Sequence, residues 1–135
     1  MKALRIIGLL IGLSLTAQAQ VDVSELDQLP VFGDCSEIPD AKRCFGHNLN
    51  KAIEQNIVYP KKAMDEGLSG VVYVGFEINE KGEFVNVKIE KGIEQSLNKA
   101  ALNCIESLKP CVSPGMKDGK AVAVKFTSPI KFALR

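Results

Sequence analysis

Four side chains carry the most reactive chemistry in this 135-residue sequence: Cys35, Cys44, Cys104 and Cys111. A thiol can cross-link, hold a soft metal or act as a nucleophile, and its surroundings decide which. Four cysteines allow three pairings. Closeness in sequence favours Cys35 with Cys44 and Cys104 with Cys111, and leaves the connectivity open. The rival is a zinc site made from Cys44-x-x-His47 and other cysteines. His47 is the only histidine, and an oxidising compartment, argued below, opposes free thiolates. Disulfides, with no metal and no cofactor, are therefore expected.

Catalysis finds little to work with. A Cys44–His47 nucleophile pair would lose its thiol to a disulfide. Ser24, Ser69 and Ser128 have no nucleophile context. Glu77, Glu83 and Glu90 fall at outward strand positions or in a turn, where carboxylates are normally solvated. No nucleophile, base and orienting group can be assembled, so no enzyme is expected.

The compartment follows from the first residues. Lys2 and Arg5 precede an apolar run, Ile6 to Leu15, and Ala17-Gln18-Ala19 fits the small-x-small cleavage rule. Residues 1–19 read as a signal peptide. The apolar stretch Leu4 to Ala17 is 14 residues long, short of the roughly 20 that span a bilayer. The mature chain is expected to be exported into an oxidising space, with no membrane span. Removing Lys2 and Arg5 leaves 15 basic against 16 acidic residues, a net charge of −1. No basic patch stands out, so nucleic-acid binding has no electrostatic support.

The elements that must position these residues are legible in part. Residues 20–34 mix acidic and apolar types with Pro30 and read as a flexible, poorly ordered lead-in. Residues 35–135 read as one domain. Phe45, Leu49, Ile53 and Ile57 recur at helical spacing, with Asn48 or Asp40 as cap. Pro60 opens a short helix over Lys61–Glu66, with Ala63 and Met64 facing inward and Gly67 ending it. Val72, Val74, Phe76 and Ile78 alternate with polar or small residues, as do Val85, Val87 and Ile89, and Gly82 supplies the turn of a β-hairpin. Gly75, in mid-strand, marks a bulge or a close approach. A third helix carries Leu97, Ala101, Cys104, Ile105 and Leu108, capped by Ser96 or Asn98.

A last strand presents Val122, Val124 and Phe126 on one face and Ala123, Lys125 and Thr127 on the other, with a break at Pro129. Proline cannot donate to a ladder, so this strand belongs at a sheet edge. The expected fold is α+β in two layers: a three-stranded antiparallel sheet of order 2-1-3, with helices packed on one face.

The ordered set Tyr59-Pro60-x-x-Ala63, Gly67-x-x-Gly70-x-Val72-x-Val74-x-Phe76-x-Ile78, Gly82 and Val85-x-Val87 resembles the C-terminal domain of TonB energy transducers. The resemblance continues through Leu97-x-x-x-Ala101-Leu102, Pro114-Gly115, Gly119 and Val122-x-Val124-x-Phe126, and covers about residues 45 to 135. The Cys35–Cys44 segment resembles an extension of Bacteroidetes-type members.

The resemblance implies a periplasmic module that grips an outer-membrane TonB-dependent receptor, or another envelope protein. The grip is strand addition of an extended segment, the TonB box, to the edge of the third strand. It places the site at Ala121, Val122, Ala123, Val124, Lys125, Phe126 and Thr127, with Asn56, Ile57, Val58 and Tyr59 nearby. Tyr59 also has an ordinary role, as a packing residue with its hydroxyl at the surface. The same edge can instead pair with its own copy, giving a structural or self-associating homodimer without energy transduction.

Three features depart from the family pattern. A signal peptide stands in place of a membrane anchor, and no proline-rich spacer follows it. The chain also has no Trp, and Pro110-Cys111 occupies the place of one, which suggests a disulfide in place of an aromatic anchor.

Overall fold

The structure, a computed structural model, describes residues 20–134. The signal-peptide expectation lies outside the described residues. The elements are β1 (Gln20–Val21), a 3-10 turn (Val23–Glu25), α1 (Ala41–Asn56), α2 (Lys61–Asp65), β2 (Gly70–Ile78), β3 (Phe84–Lys91), α3 (Gln95–Glu106), β4 (Gly115–Lys117) and β5 (Lys120–Phe132).

The hairpin β2–β3 forms around Gly82, whose φ of 82° is open to glycine at little cost. Cys111 straps the turn from outside, its N–H donating to the Gly82 carbonyl at 2.7 Å. The register slips between Gly75 and Glu77. A Cβ at Gly75 would lie 2.1 Å from a Glu90 carboxylate oxygen, so the expected bulge and the expected close approach coincide there.

β2 pairs β3 on one side and β5 on the other, both antiparallel. This is the expected order of the three main strands. Two short strands extend it: β1 lies parallel beside β5, and β4 forms a hairpin with β5.

The helices α1, α2 and α3 cover one face of the sheet. Phe45, Leu49 and Ile53 of α1, Ala63 of α2, and Leu97, Ala101, Cys104 and Ile105 of α3 meet Val72, Val74, Phe76, Ile78, Ile130 and Phe132 in one core. Each large apolar side chain fully buried in such a core contributes about 1.5–3 kcal/mol.

Several local expectations change. Asp40 caps α1 by accepting the Arg43 N–H at 2.9 Å, whereas Asn48 donates to the Phe32 and Asp34 carbonyls and ties the preceding loop down. Glu94, rather than Ser96 or Asn98, caps α3 through the Ser96 and Leu97 N–H groups. Met64 is 47 % exposed and only Ala63 faces inward on α2.

The lead-in is not loose. Pro30 and Phe32 are buried, and Val31 and Gln28 bridge to Ser113 and Met116. Short-range composition did not reveal this, because the partners lie some 80 to 90 residues further along the chain.

Candidate functional site

β5 is the longest strand among the described residues, 13 residues, and nine of them pair with β2 without interruption, from Ile78 opposite Val124 to Gly70 opposite Phe132. Even-numbered positions from Val124 to Phe132 point into the core side and odd-numbered ones outward. The expected break at Pro129 does not occur: Pro129 sits inside the strand, opposite Tyr73. A proline is accommodated there only if its missing N–H would have faced away from β2. By strand periodicity the backbone groups of Lys125, Thr127 and Lys131 face the same way, toward the outer edge.

That outer edge is covered at one end and open at the other. β1 pairs with Ala123 and Val124 on the side opposite β2, while β4 pairs with Lys120–Val122, beyond the last β2 pair at Val124. Beyond Val124, no strand among the described residues pairs with the outer side of β5. The predicted stretch Ala121 to Thr127 therefore divides. Ala121 and Val122 pair with β4 and Ala123 and Val124 with β1, whose last step engages the Lys125 N–H, so Phe126 and Thr127 begin the open run.

Under the open run lies an apolar groove of ≈ 360 Å³. Its floor is a ring stack: Phe126 lies face to face with Phe45 (4.9 Å) and Phe76 (5.8 Å). Val23 and Leu29 of the lead-in form one wall, and α1 the other.

The second predicted group sits elsewhere. Tyr59 packs edge-on against Phe132 at 5.5 Å, and its hydroxyl donates to the Leu68 carbonyl. The hydroxyl is thus tied to the backbone rather than left at the surface. Asn56 donates back to the Ala52 carbonyl at 2.7 Å, and Val58 is 70 % exposed. Asn56 and Val58 border a cleft of ≈ 440 Å³ with α3. Ile57 packs against the core as the C-cap of α1. Thr127 and Phe132 are five residues apart, or about 17 Å along a strand. The two predicted groups share β5 but do not form one patch.

The outer face of the sheet holds a feature that sequence pattern alone missed. Glu77, expected to be solvated, is 7 % exposed. It accepts from the Asn86 side chain at 3.0 Å and stands in register with Lys125. Asn86 has a φ of 52°, at the bulge. An Asn in a strand next to a mid-strand Gly was the available signal, since Asn tolerates the left-handed region.

The cysteines also divide. Cys35 and Cys44 are bonded, which takes Cys44 out of any thiol chemistry with His47. Cys104 and Cys111 are free and buried, so the second expected bridge is absent. Cys104 turns into the α1–α3 seam, its thiol 3.6 Å from the Ile53 carbonyl, while Cys111 is held at the hairpin turn. Burial pushes the Cys104 thiol up to about 11 and the Cys111 thiol up to about 12. Cys111 fills its place as a small apolar residue, not as half of a bridge.

His47 lines a cleft of ≈ 510 Å³ with Asp34, Glu37 and Lys51. Among the described residues no three His, Cys, Asp or Glu side chains gather as a metal site.

A family model described as the Gram-negative bacterial TonB protein C-terminal matches residues 55–134. The chain belongs to the TonB C-terminal family. Two solution NMR structures of the Helicobacter pylori TonB C-terminal domain are similar to it. The shorter is 33 % identical, with a TM-score of 0.52 and coverage of 67 % of this chain and 95 % of that one. The longer is 31 % identical, with a TM-score of 0.57 and coverage of 76 % and 96 %. No curated protein matches.

The TonB C-terminal match starts near the end of α1, so the disulfide, the lead-in and β1 lie outside it. Among the described residues no helix is long and apolar enough to cross a membrane.

Proposed function

We propose that this TonB C-terminal-family domain captures an extended segment of an outer-membrane transport receptor, or of another envelope protein, by strand addition to the outer edge of β5. On this reading the mature chain works in the periplasm, after export and cleavage behind Ala19, as a binding partner in TonB-dependent transport and not as an enzyme. The observation that carries the reading is the β5 edge itself. It is long and regular, its partner β2 already saturates its inner side, and among the described residues no strand pairs with its outer side beyond Lys125. Main-chain hydrogen bonds to the Lys125 carbonyl, Thr127 and Lys131 would supply affinity, and the groove floored by Phe126 would take a side chain of the added strand.

An NMR titration with N-terminal peptides of outer-membrane receptors tests this. The amides of Lys125 to Lys131 are expected to shift, and those of Phe84 to Lys91 to stay still. Peptides that leave the β5 amides unmoved would sink the reading. Sedimentation over a range of concentrations separates it from edge-to-edge dimerisation, which predicts a mass that rises to that of a dimer with concentration.

A further inference from the structure

The edge assigned above to a partner strand is partly held by the chain itself. We propose that Gln20–Asp27 is a cis-acting cover of the β5 edge, one that opens without unfolding the domain and that a partner strand displaces. Displacement rests on the strand-addition reading, whereas the opening of the cover does not.

The placement is direct. Gln20 pairs with Ala123 and Val21 with Val124, on the side of β5 opposite β2. Any strand that adds along Ala123 to Thr127 meets β1 in the same place. The cover then turns away: Asp22 accepts the Ser24 N–H and hydroxyl, both at 2.9 Å, and starts the 3-10 turn. Val23 is left beside Lys125, Phe126 and Thr127, where it also borders the ring-floored groove.

The lead-in has two parts, differently held. From Gln28 on it is anchored. Gln28 and Met116 exchange backbone hydrogen bonds, Val31 does the same with the Val112–Ser113 segment, Phe32 is 8 % exposed, and the Cys35–Cys44 bond follows. Before Gln28 the hold is slight. β1 is only two residues long, and the 3-10 turn contains no buried residue. Glu25 meets Lys117 at 3.1 Å, the Asp118 N–H donates to Asp27 at 2.7 Å, and the Asp27 N–H donates to the Met116 carbonyl at 2.8 Å, with Leu26 half-buried beside Gly115. All of these sit on β4 and its turn, not on the edge being covered. A short strand with a surface ionic latch and a buried anchor behind it can open by local motion while the core stays closed. Opening then sets the fraction of molecules able to bind, and the apparent dissociation constant is the intrinsic one divided by that fraction.

The test uses the full mature chain in two variants. Lys117→Glu sets a carboxylate against that of Glu25 and turns the latch into a repulsion. The charge swap, Glu25→Lys combined with Lys117→Glu, restores the attraction. Two readouts are needed. Without any partner, amide exchange at the edge-facing Ala123 and Lys125 is expected to rise roughly threefold to tenfold in Lys117→Glu and to return in the swap, while Val31 and Phe32 stay unchanged. Unchanged edge amides would overturn the cover, and so would edge amides that rise only together with Val31 and Phe32. With a synthetic receptor N-terminal peptide, the dissociation constant is expected to fall by the same factor as exchange rises. A peptide that binds wild type and Lys117→Glu equally tightly overturns displacement and leaves strand addition standing. If no peptide binds either protein, strand addition fails, and the exchange result alone supports or overturns the cover.

Discussion

β3 and β5 flank β2 on opposite sides, and each has an outer backbone that a foreign strand could reach. β3 is irregular. Its register against β2 slips twice, Asn86 takes a positive φ, and exposed Lys88, Glu90 and Lys91 stud the strand. Bulges and charges of this kind are how natural sheets blunt an edge. β5 is regular over nine consecutive pairs, and the irregularity its sequence announces, Pro129, leaves the pairing with β2 intact. Its protection comes instead from a separate segment, Gln20–Val21, over part of its length. A bulge is permanent, but a two-residue strand can leave. On the proposed reading, this contrast is what makes β5 rather than β3 the edge that receives a partner strand.

The comparison can be broken first through stability. Ile130→Ala removes a fully buried β5 side chain and is expected to cost about 2–5 kcal/mol in urea unfolding. Val87→Ala on β3, only half buried, is expected to cost well under that. Equal losses would mean that β3 is as deeply built into the core as β5.

Next in size is the cross-link. Opening the Cys35–Cys44 bond with Cys35→Ser frees a short loop and is expected to cost about 2–3 kcal/mol by loop entropy. Amide exchange should then rise from Gly33 to Asn48, around the Asn48 side chain that ties the loop, and leave Phe84 to Lys91 untouched.

Binding gives a finer test. Thr127→Pro should weaken a receptor peptide by roughly threefold to tenfold, the worth of a main-chain hydrogen bond, with β2 pairing kept as it is at Pro129. Glu90→Ala on the other edge should change affinity by no more than about twofold. A larger effect at Glu90 would move the partner to β3.

The smallest effects are in pH. Hydrogen bonds from Ser96, Ser36 and Ser24 hold the Glu94, Asp34 and Asp22 carboxyls below their usual values. Their contribution to stability is present above the unfolded carboxylate range and is lost as pH falls through the lowered folded values. On the alkaline side the sign reverses. Unfolded thiols ionise from about 9, while folded Cys104 and Cys111 hold their protons up to about 11 and about 12. Stability is expected to decline as pH rises through that interval. A thiol reagent at neutral pH should label neither cysteine in the folded chain and both after denaturation; labelling of Cys111 before unfolding would contradict its packing at the Gly82 turn.

Local pattern and composition determined a good deal. The period-two runs placed β2, β3 and β5, helical spacing placed the buried faces of α1 and α3, and Pro129 marked β5 as an edge strand, which holds for its second half but not for Lys120 to Val124, where β4 and β1 pair with it. Closeness in sequence favoured Cys35 with Cys44, which are bonded, but also Cys104 with Cys111, which lie closer still and are free.

What only the tertiary structure decided involves partners distant in sequence. Gln20 finds Ala123, Phe32 finds Phe84, Gln28 finds Met116. No periodicity in a stretch as short as Val21–Asp22–Val23 can announce a strand whose ladder lies a hundred residues away. The same holds for Cys104, which a nearby Cys111 suggested as a bridge. The α1–α3 seam and the hairpin turn pull the two thiols to different places. Sequence spacing sees the chain between them, and only packing sees the neighbours on either side.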